Sequence, residues 1–144
     1  MTSGEERKTM EVVAAAIIQD RKVFATQRGY GDYKGWWEFP GGKIEHGETK
    51  EQALKRELRE ELAIETEVGD LIKTVEYDYP KFHLILHCFL TKIIKGEPKL
   101  LEHESARWVD KNNVDDLNWL KADLDVIKEI KEKFLSDAHK MQEL

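Results

Sequence analysis

Residues 41–64 read GGKIEHGETKEQALKRELREELAI. Thr49 followed by Gln52 is a capping-box pattern, in which each side chain takes the other residue's backbone N–H, so a helix is predicted to start at about residue 50. No Pro or Gly interrupts the chain from there to residue 64. At about 100° per residue, Leu54, Leu58 and Leu62 form one narrow apolar stripe, and Glu57, Glu60 and Glu61 fall on a neighbouring face. Like charges three or four residues apart oppose helix formation by roughly 0.2–0.5 kcal/mol per pair, and Arg56, one turn before Glu60, offsets only part of that. Most charge runs on helices are simply solvated faces. Here the preceding loop points elsewhere. Gly41, Gly42 and Gly47 let the backbone pass close to the helix with carbonyls exposed, and hard divalent cations such as Mg²⁺ take carboxylate and carbonyl oxygens.

Upstream, EVVAAAIIQD and RKVFATQR are two apolar runs around a polar break at residues 19–22, which predicts a hairpin. GYGDYKGWW (29–37) is a loop, and EFPGGK opens on a short extended piece because the residue before Pro40 is biased away from helix. Downstream, LIKTVEYDY alternates, with Leu71, Lys73, Val75 and Tyr77 on one side, and HLILHCFLTKII suits a strand covered on both faces. YPKF between them is a turn, GEPKLLEHES is irregular and RWVD is a brief last strand. Leu120, Leu124, Ile127, Ile130 and Phe134 then recur with the spacing of an amphipathic helix. Strands, helix, strands, helix make a mixed α/β sandwich, expected as a single domain over residues 1–144 with residues 1–9 and 137–144 frayed.

Composition limits what such a domain does. With 40% hydrophobic and 36% charged residues the chain is globular in type, and a net charge of −6 argues against a broad surface for long DNA or RNA. Cys88 is the lone cysteine, and MTSGEERKTM lacks the apolar core of a secretory leader, so a cytoplasmic location is expected. No apolar run approaches the ~20 residues that span a bilayer, so no membrane partner is expected.

Gly42, Glu48, Arg56-Glu57-Leu58, Glu60-Glu61 and Ala63-Ile64, at the spacing in which they stand, resemble the Nudix box. One departure is Ala63, where the family pattern has a Gly that serves a backbone turn. WEFPGGKIEHGET (37–49) looks like the MutT-type and CTP pyrophosphohydrolase branch. The resemblance implies a Nudix α/β/α sandwich, with the mixed sheet between helices. It also implies Mg²⁺-dependent (or Mn²⁺-dependent) hydrolysis of a nucleoside triphosphate, CTP, dCTP or oxidised dGTP, to monophosphate and pyrophosphate. The partner implied is a small-molecule nucleotide, with the chain a monomer or a homodimer. By the same resemblance, Glu57, Glu60 and Glu61 with the Gly41 carbonyl bind the metal, Arg56 orients one of these glutamates and Glu48 supports them. Glu102 falls where a later loop supplies a general base and further metal contact, the alternative being a solvated loop glutamate, with His103 and Glu104 as nearby substitutes. Arg28 resembles a position that contacts the nucleotide. Glu38, Phe39 and Gly42 line the nucleoside pocket, and Asp123 accepts from a base amino group, the alternative being an Asp placed for the helix dipole.

Tyr30, Tyr33, Trp36, Trp37 and Trp119 are either base-stacking or packing groups. His83 and His87, four apart on a strand, lack a third convergent ligand for zinc, and His46 reads as an exposed loop residue. Two other activities remain open. One keeps the chemistry with an ADP-sugar or dinucleoside polyphosphate as substrate. The other is a ligand-binding module without turnover, for which a degraded box is expected, whereas every carboxylate is present here.

Overall fold

The computed structural model describes residues 8–135. Strands β1 (Lys8–Gln19) and β2 (Lys22–Gln27) form the expected hairpin, with Ile18 opposite Val23 and Gln19 opposite Lys22. Asp20 and Arg21 turn the chain with φ of 53° and 60°, the left-handed pair that matches the twist of a two-residue hairpin. Lys8 and Thr9, expected to fray, instead pair with Phe82 and His83. The rest of that expectation, residues 1–7 and 137–144, lies outside the described residues.

The short strands β3 (Trp37–Glu38) and β4 (Gly41–Lys43) flank Pro40 and pair with different neighbours, β3 with β2 and β4 with β1. After helix α1 (Lys50–Leu62) come β5 (Glu65–Tyr79) and β6 (Phe82–Lys95), joined through Pro80 and Lys81, and then β7 (Ser105–Val109). The sheet has seven strands in the order β3-β2-β1-β6-β5, with β4 added on β1 and β7 on β2. The β1–β6 pair is parallel and the other strand pairs are antiparallel.

Val13–Ile17 of β1 are buried on both faces, which is why that run is apolar without alternation. On one face Val13, Ala15, Ile17 and Phe89 pack against Leu54, Leu58 and Leu62 of α1. On the other, Ala14, Ala16, Leu86 and Cys88 pack with Val126, Ile127 and Ile130 of α2 (Leu124–Ile130). A mixed sheet between two helical layers is the α/β/α sandwich that the sequence predicts.

Two side-chain patterns differ from expectation. Leu71 and Tyr77 are 49% and 37% exposed, and Ile72 packs toward the core instead. The register of β5 slips between Val68 and Leu71 and again between Leu71 and Lys73. Each bulge shifts the in–out phase, so strict alternation along the sequence does not survive. The last helix is also shorter than its apolar spacing suggests. A 3-10 turn (Lys121–Asp123) precedes α2 and a π-type turn (Lys131–Leu135) follows it. Those turns rotate side chains by other than 100°, leaving Leu124 46% exposed and sending Leu135 into the core. Among the described residues, no helix is long and apolar enough to cross a membrane.

Helix α1 begins as its sequence dictates. The Gln52 N–H donates to the Thr49 hydroxyl at 3.1 Å, and the Thr49 N–H donates to Gln52 Oε1 at 2.9 Å. It ends on Ala63, held in the left-handed region at φ 58°. The free carbonyls of its last turn are taken from outside, Leu62 by the Lys99 N–H at 2.8 Å and Glu61 by the Leu101 N–H at 3.2 Å. A left-handed residue with a Cβ costs roughly 1–2 kcal/mol, partly offset by the stiffer unfolded chain. Ala63→Gly is therefore expected to stabilise the protein by about 0.5–1 kcal/mol in urea unfolding; a decrease in stability would contradict the strain assigned to this turn.

Candidate active site

The predicted helix and the predicted loop meet where β4 runs alongside β1. There the backbone passes so close that a Cβ on Gly42 would lie 2.3 Å from the Glu57 carboxyl carbon. One on Gly41 would lie 2.0 Å from the Val13 carbonyl oxygen. Only glycine permits both approaches. Arg56, its side chain 18% exposed, gathers the oxygens around this junction. Its Nε and Nη2 donate to Glu48 at 2.6 and 3.0 Å, its Nη1 to Glu57 at 3.1 Å and Glu60 at 3.2 Å, and its Nη2 also to the Lys43 carbonyl at 3.0 Å. The Arg56 hydrogen bond holds the Glu48 carboxyl below its ordinary range, helped by the Glu45 N–H.

A cavity of about 520 Å³ opens beside Gly41 and Gly42. Its wall brings together Arg28, Glu38, Phe39, Gly41, Gly42, Glu61, Glu102 and Asp123 from five separate stretches of sequence. Glu57 adjoins it through Gly42, whereas Glu60 points outward with its side chain 55% exposed. Met10, Val12, Leu84 and Leu86 form an apolar side, and Tyr30 and Tyr33 line the mouth. A volume of this size, apolar with a few converging polar groups, suits a nucleoside.

Burial shapes the electrostatics. Glu61 is 7% exposed, and desolvation, a hydrogen bond with Glu57 and the charges of Glu57, Glu102 and Glu38 push its carboxyl up to about 9. Glu38 is also raised, by burial, against the pull of Arg28, whose Nε donates to it at 3.2 Å. Asp123, 4% exposed, is raised well above the ordinary carboxylate range by burial and then by the Glu38 charge, against a hydrogen bond from the Phe39 backbone. It stands at the N-cap of α2 without a capping hydrogen bond, a position that also suits the helix dipole, and it lines the cavity.

Other sequence candidates divide clearly. Trp37 and Trp119 are core residues, and the Trp119 Nε1–H donates to the Val114 carbonyl at 2.7 Å. Phe39 serves the cavity and the core at once, its ring 5.1 Å from that of Trp119. Trp36 meets Tyr33 edge-on. His46 is exposed, and His83 and His87 are each taken up by two other side chains, His83 by Asp78 and Glu76 and His87 by Thr74 and Glu11. Sequence reasoning missed Lys43 as a second cation of the cavity wall, although it directly follows the glycine pair. It also missed Tyr79, whose hydroxyl accepts the Ala122 N–H at 3.1 Å and so braces the turn that presents Asp123. No local signal marks that contact, which spans 43 residues.

The residues suit a hard cation. Glu61 Oε1 is buried without a hydrogen-bond partner, and its carboxyl lies against that of Glu57 in surroundings where an unshared negative charge is disfavoured. Carboxylate oxygens are the donors that Mg²⁺ takes. Among the described residues no three His, Cys, Asp or Glu side chains already converge on one point, because Arg56 draws Glu57 and Glu60 to itself.

Such a fold and such a site define a hydrolase of phosphoric anhydrides. The family model of the NUDIX domain matches residues 8–130, and the chain belongs to that family, whose members generally depend on a divalent metal. The CTP pyrophosphohydrolase of Escherichia coli (strain K12) is 40% identical over 102 residues, covering 70% of this chain and 76% of that protein. An 8-oxo-dGTP diphosphatase of Proteus vulgaris is 46% identical over 88 residues, 59% of this chain and 79% of that protein. The solution structure of the E. coli ORF135 protein matches with a TM-score of 0.75 at 33% identity, covering 89% and 92% of the two chains.

Because its folded pKa lies above the unfolded value, Glu61 keeps a proton on folding that the unfolded chain releases above about 4.5. Its contribution to stability is therefore present at low pH and lost as pH rises toward about 9. In the presence of a chelator, Glu61→Gln should gain Tm relative to wild type, with the gain growing from pH 5 to pH 8. A difference that stays flat across that range would show that the carboxyl is not desolvated.

Proposed function

We propose that the chain hydrolyses a nucleoside triphosphate, a cytidine nucleotide or an oxidised guanine nucleotide, to nucleoside monophosphate and pyrophosphate with Mg²⁺. The observation that carries this reading is the continuity of one cavity from the acidic end of α1, at Glu61, to a nucleoside-sized wall of Glu38, Phe39 and Asp123. Glu57, Glu60 and Glu61 would hold the cation with the Gly41 carbonyl, and Mn²⁺ would suit the same oxygens. When bound, it neutralises the triphosphate and lowers the pKa of an attacking water.

The chain's own groups supply the rest. Arg56 restrains Glu57 and Glu60 through one guanidinium fork while Glu48 anchors that fork from the far side. Arg28 and Lys43 meet the phosphates as the two cations of the wall. The loop that carries Glu102 is tied to α1 through Leu101 and to β2 through the Glu104 N–H, 3.0 Å from the Gln27 carbonyl. Those ties support a reading in which the Glu102 carboxylate would take the proton from water as the anhydride bond between the first two phosphates breaks. The Asp123 carboxyl, raised by burial, would meet a base edge from the cavity wall. A binding module without turnover has no use for a carboxyl held in so costly an environment as that of Glu61.

The test is release of pyrophosphate and monophosphate from dCTP, CTP, 8-oxo-dGTP, dGTP and ADP-ribose, with and without Mg²⁺. One preferred triphosphate and no release without Mg²⁺ are expected; equal silence toward every substrate would overturn the reading. Glu61→Gln should lower kcat by at least about 10³-fold, as loss of a group that stabilises developing charge does. Asp123→Asn, with its fixed amide donor, should alter the ratio of kcat/KM between cytosine and guanine nucleotides by about tenfold, the worth of a hydrogen bond to a base. An unchanged base spectrum would remove Asp123 from recognition. Since Glu61 must lose its proton to serve as a ligand, kcat/KM at limiting Mg²⁺ should climb from pH 6 to pH 9.

A further inference from the structure

His103 stands against the buried edge of Glu61 and has no part in the roles described so far. Its side chain is 9% exposed, and its Nε2 lies 3.7 Å from Glu61 Oε1. That distance is beyond hydrogen bonding, and both Glu61 Oε1 and His103 Nδ1 are buried without a partner. Two unsatisfied polar atoms in adjoining side chains of one wall are an exception to the rule that buried polar groups are paired.

The ring is held in place from its own backbone. On one side Leu101 donates to the Glu61 carbonyl at 3.2 Å, and on the other Glu104 donates to the Gln27 carbonyl at 3.0 Å. A Cβ on Gly29 would lie 3.3 Å from the Glu104 nitrogen, so the segment is also packed from below. An imidazole carries at least one ring N–H to give in either protonation state. Glu102, beside it in sequence, is exposed and adds negative charge toward Glu61, so it does not steady that carboxylate.

We propose that His103 is a positioning residue for Glu61: its Nε2–H donates to Glu61 Oε1 once that carboxylate holds a divalent cation, fixing which oxygen faces the metal. Closing from 3.7 Å to hydrogen-bond length takes less than about 1 Å of movement. Catalytic hydrogen bonds are often long before the site is loaded, and ligating carboxylates are themselves held by a hydrogen bond from behind. The inference rests on the reading of Glu61 as a metal ligand.

The experiment is Mn²⁺ titration of the full chain without nucleotide, by calorimetry and by the loss of the free Mn²⁺ paramagnetic resonance signal. His103→Phe keeps the bulk and loses the donor, His103→Gln sets an N–H near the former Nε2, and His103→Asn sets one near the former Nδ1. His103→Phe and His103→Asn should weaken Mn²⁺ binding by about 10- to 100-fold, and His103→Gln should restore most of it. In turnover, kcat should fall while KM for the nucleotide is unchanged. Combined with Glu61→Gln, His103→Phe should add nothing further, because the two act through one contact. Wild-type affinity in His103→Phe, equal rescue by Asn and Gln, or an undiminished loss in the Glu61→Gln background would each overturn the proposal. If His103→Phe melts below the assay temperature, the contrast between Gln and Asn decides. Equal Mn²⁺ affinity of wild type and Glu61→Gln would instead overturn the metal site itself, and the role of His103 with it.

Discussion

The close approach of a glycine backbone to an acidic helix is the constraint on which this site depends. With any side chain at residue 42, the Glu57 carboxyl would have to move, and with any at residue 41, β4 would separate from β1. Because neither position carries a Cβ, one face of α1 lies directly against a strand edge. Glu61 on that face then borders a cavity rather than bulk water. The repulsion among Glu57, Glu60 and Glu61, which would weaken an isolated helix, becomes local to a site in which Arg56 balances part of it.

Stability and chemistry are in tension around Glu61. Its side chain sits at the end of the buried leucine stripe of α1, so the packing that holds the helix on the sheet also desolvates the carboxyl. A cation stabilises the ionised form of a carboxylate, and burial disfavours it in the cation's absence. With Glu61 as a metal ligand, as proposed, metal loading and folding would be linked through this residue. The segment 96–104 closes this arrangement, since its N–H groups satisfy the last carbonyls of α1 while its side chains reach the cavity.

Much of this was legible in the residues. The capping box of Thr49 and Gln52, the leucine stripe, the first hairpin and the doubly covered β6 follow from local rules, and the structure has each of them. The less legible parts have identifiable causes. Bulges in β5 moved Leu71 to solvent, and turns of non-α pitch at both ends of α2 did the same to Leu124. Trp37 and Trp119 have the composition of stacking groups, and only their burial shows that they pack.

The sequence by itself determined the elements, the box of carboxylates and glycines, and the kind of ion those oxygens suit, because helix caps, periodicity and charge act over a few residues. Only the tertiary structure decided that Arg28, Glu38, Glu61, Glu102 and Asp123 share one wall, that Glu60 faces outward and that His103 adjoins Glu61. It also decided the burial that raises the Glu61 and Asp123 carboxyls, which no local pattern encodes. Desolvation is a property of everything packed around a group, and that packing is contributed by strands and loops far apart in the chain.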